Sequence, residues 1–92
     1  MSMGRVLVLI RIFPKDIDIN LESLAEKIKE SLGKEYSIIQ YKEEPIAFGL
    51  KALKILIAMP ELKEGGTYEL EQTIQNLDEV SEVEILQVTR AL

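Results

Sequence analysis

The chain has 92 residues, 47% of them hydrophobic and 29% charged, a composition expected to fold as one globular domain over residues 1–92. It contains no cysteine and no histidine, which excludes a disulfide framework and thiolate chemistry and removes the usual neutral-pH general base and the commonest zinc or copper ligand. No apolar run approaches the ~20 residues that span a bilayer and no secretory pattern opens the chain, so a cytoplasmic, non-redox protein without metal or cofactor is expected.

The formal net charge of −5 is unevenly spread. Residues 1–59 carry 9 basic and 8 acidic side chains, whereas residues 60–92 carry 2 basic and 8 acidic ones. An acidic final third argues against broad binding to nucleic-acid backbones, which needs clustered Lys and Arg. It suits a basic protein partner or a solvated acidic face.

Residues 1–3 are expected to be a disordered start, with Met1-Ser2 either native or an appended remnant ahead of a second initiator, Met3. Arg5 to Phe13 (RVLVLIRIF), bounded by Gly4 and Pro14, predicts a strand. Val6, Val8, Ile10 and Ile12 share one wholly apolar face, expected to face the core; Arg5, Leu7, Leu9, Arg11 and Phe13 share the other. After a loop, Asp18 or Asn20 is placed to cap a helix. Leu21, Leu24, Ala25, Ile28 and Leu32 form its apolar stripe, and Gly33 is expected to end it in a left-handed conformation.

Tyr36 to Glu44 predicts a second strand, and Glu43-Glu44-Pro45 is expected to end it in a turn, because proline fixes φ and lacks an N–H. Phe48, one of two phenylalanines, lies between Pro45 and Gly49. A large ring at a tight turn is either a plug for the core or a probe aimed at a partner. Leu50 to Met59 predicts a central third strand with Leu53, Ile55, Ile57 and Met59 inward and Lys54 and Leu56 on the opposite face.

Gly65-Gly66 lacks the surrounding pattern of a phosphate loop and predicts a flexible connector. Thr67 is placed to cap a second helix with a Leu70, Ile74, Leu77 stripe. Val80 to Thr89 predicts the final strand, whose alternation slips between Ile85 and Leu86 in the manner of a bulge.

The order β-α-β-β-α-β predicts an α+β, ferredoxin-like sandwich: a four-stranded antiparallel sheet with strands 1 and 3 central and both helices on one face. The other face is left with Leu7, Lys54 and Leu56 as candidate partner contacts. Many functions share this fold. Without His or Cys no nucleophile–base pair is available, and Glu43 and Glu44 diverge as sequence neighbours on a strand. An acylphosphatase-type or ligand-binding domain is one alternative, although Phe13-Pro14-Lys15 stands where a phosphate-cradling glycine loop with arginine would be. An RNA-binding domain similar to a small ribosomal-subunit protein is another, weakened by the acidic balance and by a third strand without stacking aromatics.

Pro45-Ile46-Ala47-Phe48-Gly49-Leu50 and Leu53, with the last strand to Arg90, resemble the translation elongation factor 1-beta family in its short, archaeal form. The resemblance implies a guanine-nucleotide exchange factor, not an enzyme, that promotes GDP release from elongation factor 1-alpha. It implies that Phe48 enters an apolar pocket of that GTPase within a contact segment of Pro45, Ile46, Ala47, Phe48 and Gly49. It also implies that Arg90 reaches the magnesium and phosphate region of the nucleotide site. A lysine stands there in eukaryotic members, and a planar guanidinium instead favours contact with phosphate or carboxylate.

Overall fold

The alternation of the first strand is realised from Val8 onward. In a computed structural model describing residues 4–61 and 64–91, β1 (Arg5–Pro14) buries Val8, Ile10 and Ile12 completely, with Val6 packed at the margin of the core. The expectation for residues 1–3 falls outside the described residues. β3 (Leu50–Pro60) answers with Leu53, Ile55, Ile57 and Met59, none more than 2% exposed. These strands pair antiparallel at the centre of a four-stranded sheet ordered β2-β3-β1-β4, with β2 (Ser37–Ala47) and β4 (Val80–Ala91) at the edges. The architecture is the ferredoxin-like α+β sandwich.

Both helices cover the same face. α1 (Leu21–Ser31) inserts Leu21, Leu24, Ala25 and Ile28, and α2 (Tyr68–Gln75) inserts Leu70 and Ile74. Asn20 rather than Asp18 caps α1: its Oδ1 accepts from the Ser23 N–H at 2.8 Å. Asp16 is used differently, accepting from the Asp18 N–H. Lys27 of α1 forms an ion pair with Glu79 ahead of β4. That hydrogen bond raises the lysine's pKa and lowers the carboxylate's.

Two expected helix ends differ. α1 stops when Leu32 turns extended at φ −85° and ψ 150°, and Gly33 does not adopt a positive φ. Its last turn is instead tied by Ser31 Oγ donating to the Lys27 carbonyl. Thr67 occupies the N-cap position of α2, but its hydroxyl donates to Glu71 Oε2 at 2.7 Å instead of accepting from a helix N–H.

The predicted slip in β4 is a bulge at Leu86: Leu9 faces Gln87 and Ile10 faces Ile85, leaving Leu86 without an opposite number. Because strand faces alternate with period 2, one extra residue exchanges them. Val83 and Ile85 lie on the helix side before the bulge; Val88 and Arg90 lie there after it. The strand also runs past its expected end at Thr89, so Arg90 is part of the ladder, opposite Val6.

Candidate functional site

β2 does not end at Pro45. It continues to Ala47, with Pro45 opposite Lys51 and Ala47 opposite Leu50. A proline is tolerated here because β2 is an edge strand, where a missing N–H need not break the ladder. The turn is therefore Phe48-Gly49 alone, a two-residue hairpin in which Phe48 has φ 52° and Gly49 φ 81°. Positive φ at both central residues is the type I′ pattern, whose twist matches that of paired strands.

Asn or Asp is favoured at the first position of such a turn; phenylalanine there bears the steric cost of a left-handed backbone, roughly 1–2 kcal/mol. It recovers nothing by burial, since Phe48 is 103% exposed. The plug reading is thereby excluded: the ring projects from the tip of the hairpin. Ile46, beside a register shift, is 43% exposed, and Pro45, Ala47 and Gly49 are exposed as well. All five residues of the predicted segment lie at one end of the sheet.

Arg90 lies at the other end. Val6, which it faces, is also paired with Met59, the penultimate residue of β3, whereas Phe48 precedes the first residue of that strand by two. At ~3.3 Å per residue, the length of β3 separates them by roughly 30 Å. Arg90 is 69% exposed at its side chain, and its Nη2 lies 2.6 Å from Glu61 Oε2. Glu61 was not legible as a site residue: it follows β3 without a motif, and only the register brings it near Arg90.

Between these ends lies the helix-free face. Leu7 sits between Ala58 and Thr89, and Leu9 between Leu56 and Gln87. Leu7, Leu9, Leu56, Gln87 and Thr89 line a shallow depression of 150 Å³. The next rung is charged across all four strands. Arg11 donates through Nε to Glu44 at 2.7 Å and through Nη1 to Glu84 at 2.8 Å, while Lys54 Nζ lies 3.9 Å from Glu44. The hydrogen bond from Arg11, then its charge, holds the Glu44 carboxyl below its ordinary pKa against partial desolvation. Arg11 and Lys54, two of the three cations predicted on this face, thus meet carboxylates, whereas Arg5 donates from Nη2 to the Ala58 carbonyl at 3.3 Å and Lys42 stands opposite Lys54. Glu43, on the helix side with Leu53, pairs with Lys51 instead.

Among the described residues, no group of three or more acidic side chains is gathered for a metal, and no helix is long and apolar enough to cross a membrane. The described surface presents an exposed aromatic ring on a hairpin tip, a half-apolar face and an exposed cation near the opposite end of the sheet.

The EF-1 guanine nucleotide exchange domain matches residues 7–91. The chain belongs to that family. Among similar proteins, elongation factor 1-beta of Staphylothermus marinus is 53% identical over 88 residues, covering 96% of this chain and 98% of the relative. Those of Aeropyrum pernix and Thermofilum pendens are each 50% identical over 88 residues, covering 96% of this chain and 98% and 97% of theirs. The match covers the sheet from Leu7 onward, including the Phe48 hairpin and Arg90.

Proposed function

We propose that this chain is a guanine-nucleotide exchange factor acting in the cytoplasm, as a single domain over residues 1–92, that binds elongation factor 1-alpha and promotes its release of GDP. The single observation that carries the reading is the fully exposed Phe48, held at positive φ on a hairpin tip where its own fold gains nothing from it. Strain retained at such a position points to a function outside the domain. The ring enters an apolar pocket of the GTPase, flanked by Pro45, Ile46, Ala47 and Gly49.

Arg90 acts at a separate part of the same partner, because the sheet is a stiff spacer of roughly 30 Å between the two. Its guanidinium contacts phosphate or a metal-binding carboxylate in the nucleotide site. Magnesium and the phosphate loop hold the nucleotide electrostatically, so a competing cation there weakens the hold. Exchange then follows from stronger binding to the nucleotide-free state, which shifts an equilibrium and makes no bond. No catalytic base, cofactor or direct nucleic-acid contact is used. Leu7, Lys54 and Leu56 contribute the contact surface between the two ends.

Release of fluorescent GDP from purified elongation factor 1-alpha, with and without the chain, tests the reading. Accelerated release that saturates with factor supports it; an unchanged rate at every concentration rejects it.

A further inference from the structure

Gly4 precedes β1 and Glu61 follows β3, and the Glu61 N–H donates to the Gly4 carbonyl at 3.1 Å. Pairing therefore extends one rung past Arg5 and Pro60. Two residues beyond Val6 and Met59, Gly4 and Glu61 lie on the helix side of the sheet. Arg90 reaches that side only because of the bulge at Leu86. β1 runs between β3 and β4, so Glu61 and Arg90 are separated by two strand spacings, about 9–10 Å across the sheet, and by two residues along it, about 7 Å.

The Glu61 side chain closes this gap by lying over Gly4. A Cβ at Gly4 would come within 1.9 Å of Glu61 Oε1, while Oε2 meets Arg90 Nη2 at 2.6 Å. The missing side chain, the bulge and the strand-end carboxylate converge on one contact.

We infer that Glu61 is a positioning residue for Arg90: its carboxylate, passing over Gly4, holds the guanidinium projecting from the sheet end toward the partner's nucleotide site. The inference rests on the proposed role of Arg90 in exchange. An untethered arginine samples many rotamers and loses that freedom on engaging a target; a pre-set side chain loses less. The pair leaves Arg90 largely exposed, so donors remain for phosphate.

The test compares GDP release at saturating factor for wild type, Gly4→Ala, Glu61→Gln, Arg90→Ala and the combination of the last two. Gly4→Ala keeps both charges and, with no positive φ at Gly4, obstructs only the flexible end of Glu61. Both Gly4→Ala and Glu61→Gln are expected to lower the plateau about three- to five-fold, the scale of an exposed ion pair, with the half-saturating concentration unchanged. Glu61→Gln adds nothing to the loss in the Arg90→Ala background, and both Gly4→Ala and Glu61→Gln lower the NMR order parameter of the Arg90 Nε–H. Wild-type plateaus for Gly4→Ala and Glu61→Gln alongside a slow Arg90→Ala overturn the inference alone. A raised plateau overturns it too, making Glu61 a restraint on Arg90. A wild-type plateau for Arg90→Ala defeats both the inference and the exchange role of Arg90.

Discussion

Phe48 extends from the end of the sheet where Ala47 pairs with Leu50, whereas Arg90 faces Val6 near the opposite end, where Val6 also pairs with Met59. Residues so far apart with no shared neighbour act independently, within about 0.5 kcal/mol. Phe48→Ala and Arg90→Ala should therefore combine multiplicatively in GDP release measured at sub-saturating factor. A double variant no slower than the worse single one would show that both serve one shared step.

The hairpin makes a sharper prediction, because stability and function oppose each other at Phe48. Phe48→Asn installs a residue suited to positive φ and removes no buried area. Stability should rise by about 1 kcal/mol, or roughly 4–8 °C in Tm for a chain of this size. Affinity for elongation factor 1-alpha should fall by about 2–4 kcal/mol, as when an interface anchor is lost. Calorimetry and titration of the same preparation check both; a lower Tm with intact affinity would refute the assignment.

Apolar periodicity made most of the fold legible. Val8, Ile10 and Ile12 against Leu53, Ile55 and Ile57 give a period-2 signal, and Leu21 to Ile28 a helical one. The hairpin boundary was misplaced because local proline chemistry predicts a turn, while an edge strand tolerates the missing N–H of Pro45. The helix stop at Gly33 failed for a related reason: glycine permits a left-handed cap without requiring one. Arg90 was found by resemblance, but its partner Glu61 depends on a bulge at Leu86 and a register between β3, β1 and β4. No local pattern encodes such a contact.

On the helix-free face, Leu7→Glu should weaken partner binding while costing about 1 kcal/mol of stability, the ordinary range for a single substitution. Leu7 is only partly buried and borders the open depression with Leu56 and Thr89. Denaturant unfolding alongside titration with the GTPase checks this. Global unfolding of the variant would instead mean that the face is needed for the fold itself.

Glu44 links this face to pH. Its folded pKa lies below the ordinary carboxylate value, chiefly through the Arg11 hydrogen bond. A depressed carboxylate contributes stability that is fully present above its unfolded pKa, about 4.3, and is lost as pH falls through the folded value. Glu44→Gln should accordingly lower the melting temperature at neutral pH, and the difference should shrink as pH drops below about 4. A gap that is constant from pH 7 to below about 3 would exclude the ionised pair as its cause.

The most direct test is the rate of labelled GDP release from elongation factor 1-alpha as a function of factor concentration, for wild type, Phe48→Ala and Arg90→Ala. The wild type should accelerate release to a plateau, and raising Mg²⁺ should slow it. Phe48→Ala should move the half-saturating concentration upward, while Arg90→Ala should lower the plateau with binding still measurable and Arg90→Lys should fall between. No acceleration by the wild type, or equal plateaus for wild type and Arg90→Ala, would contradict the account.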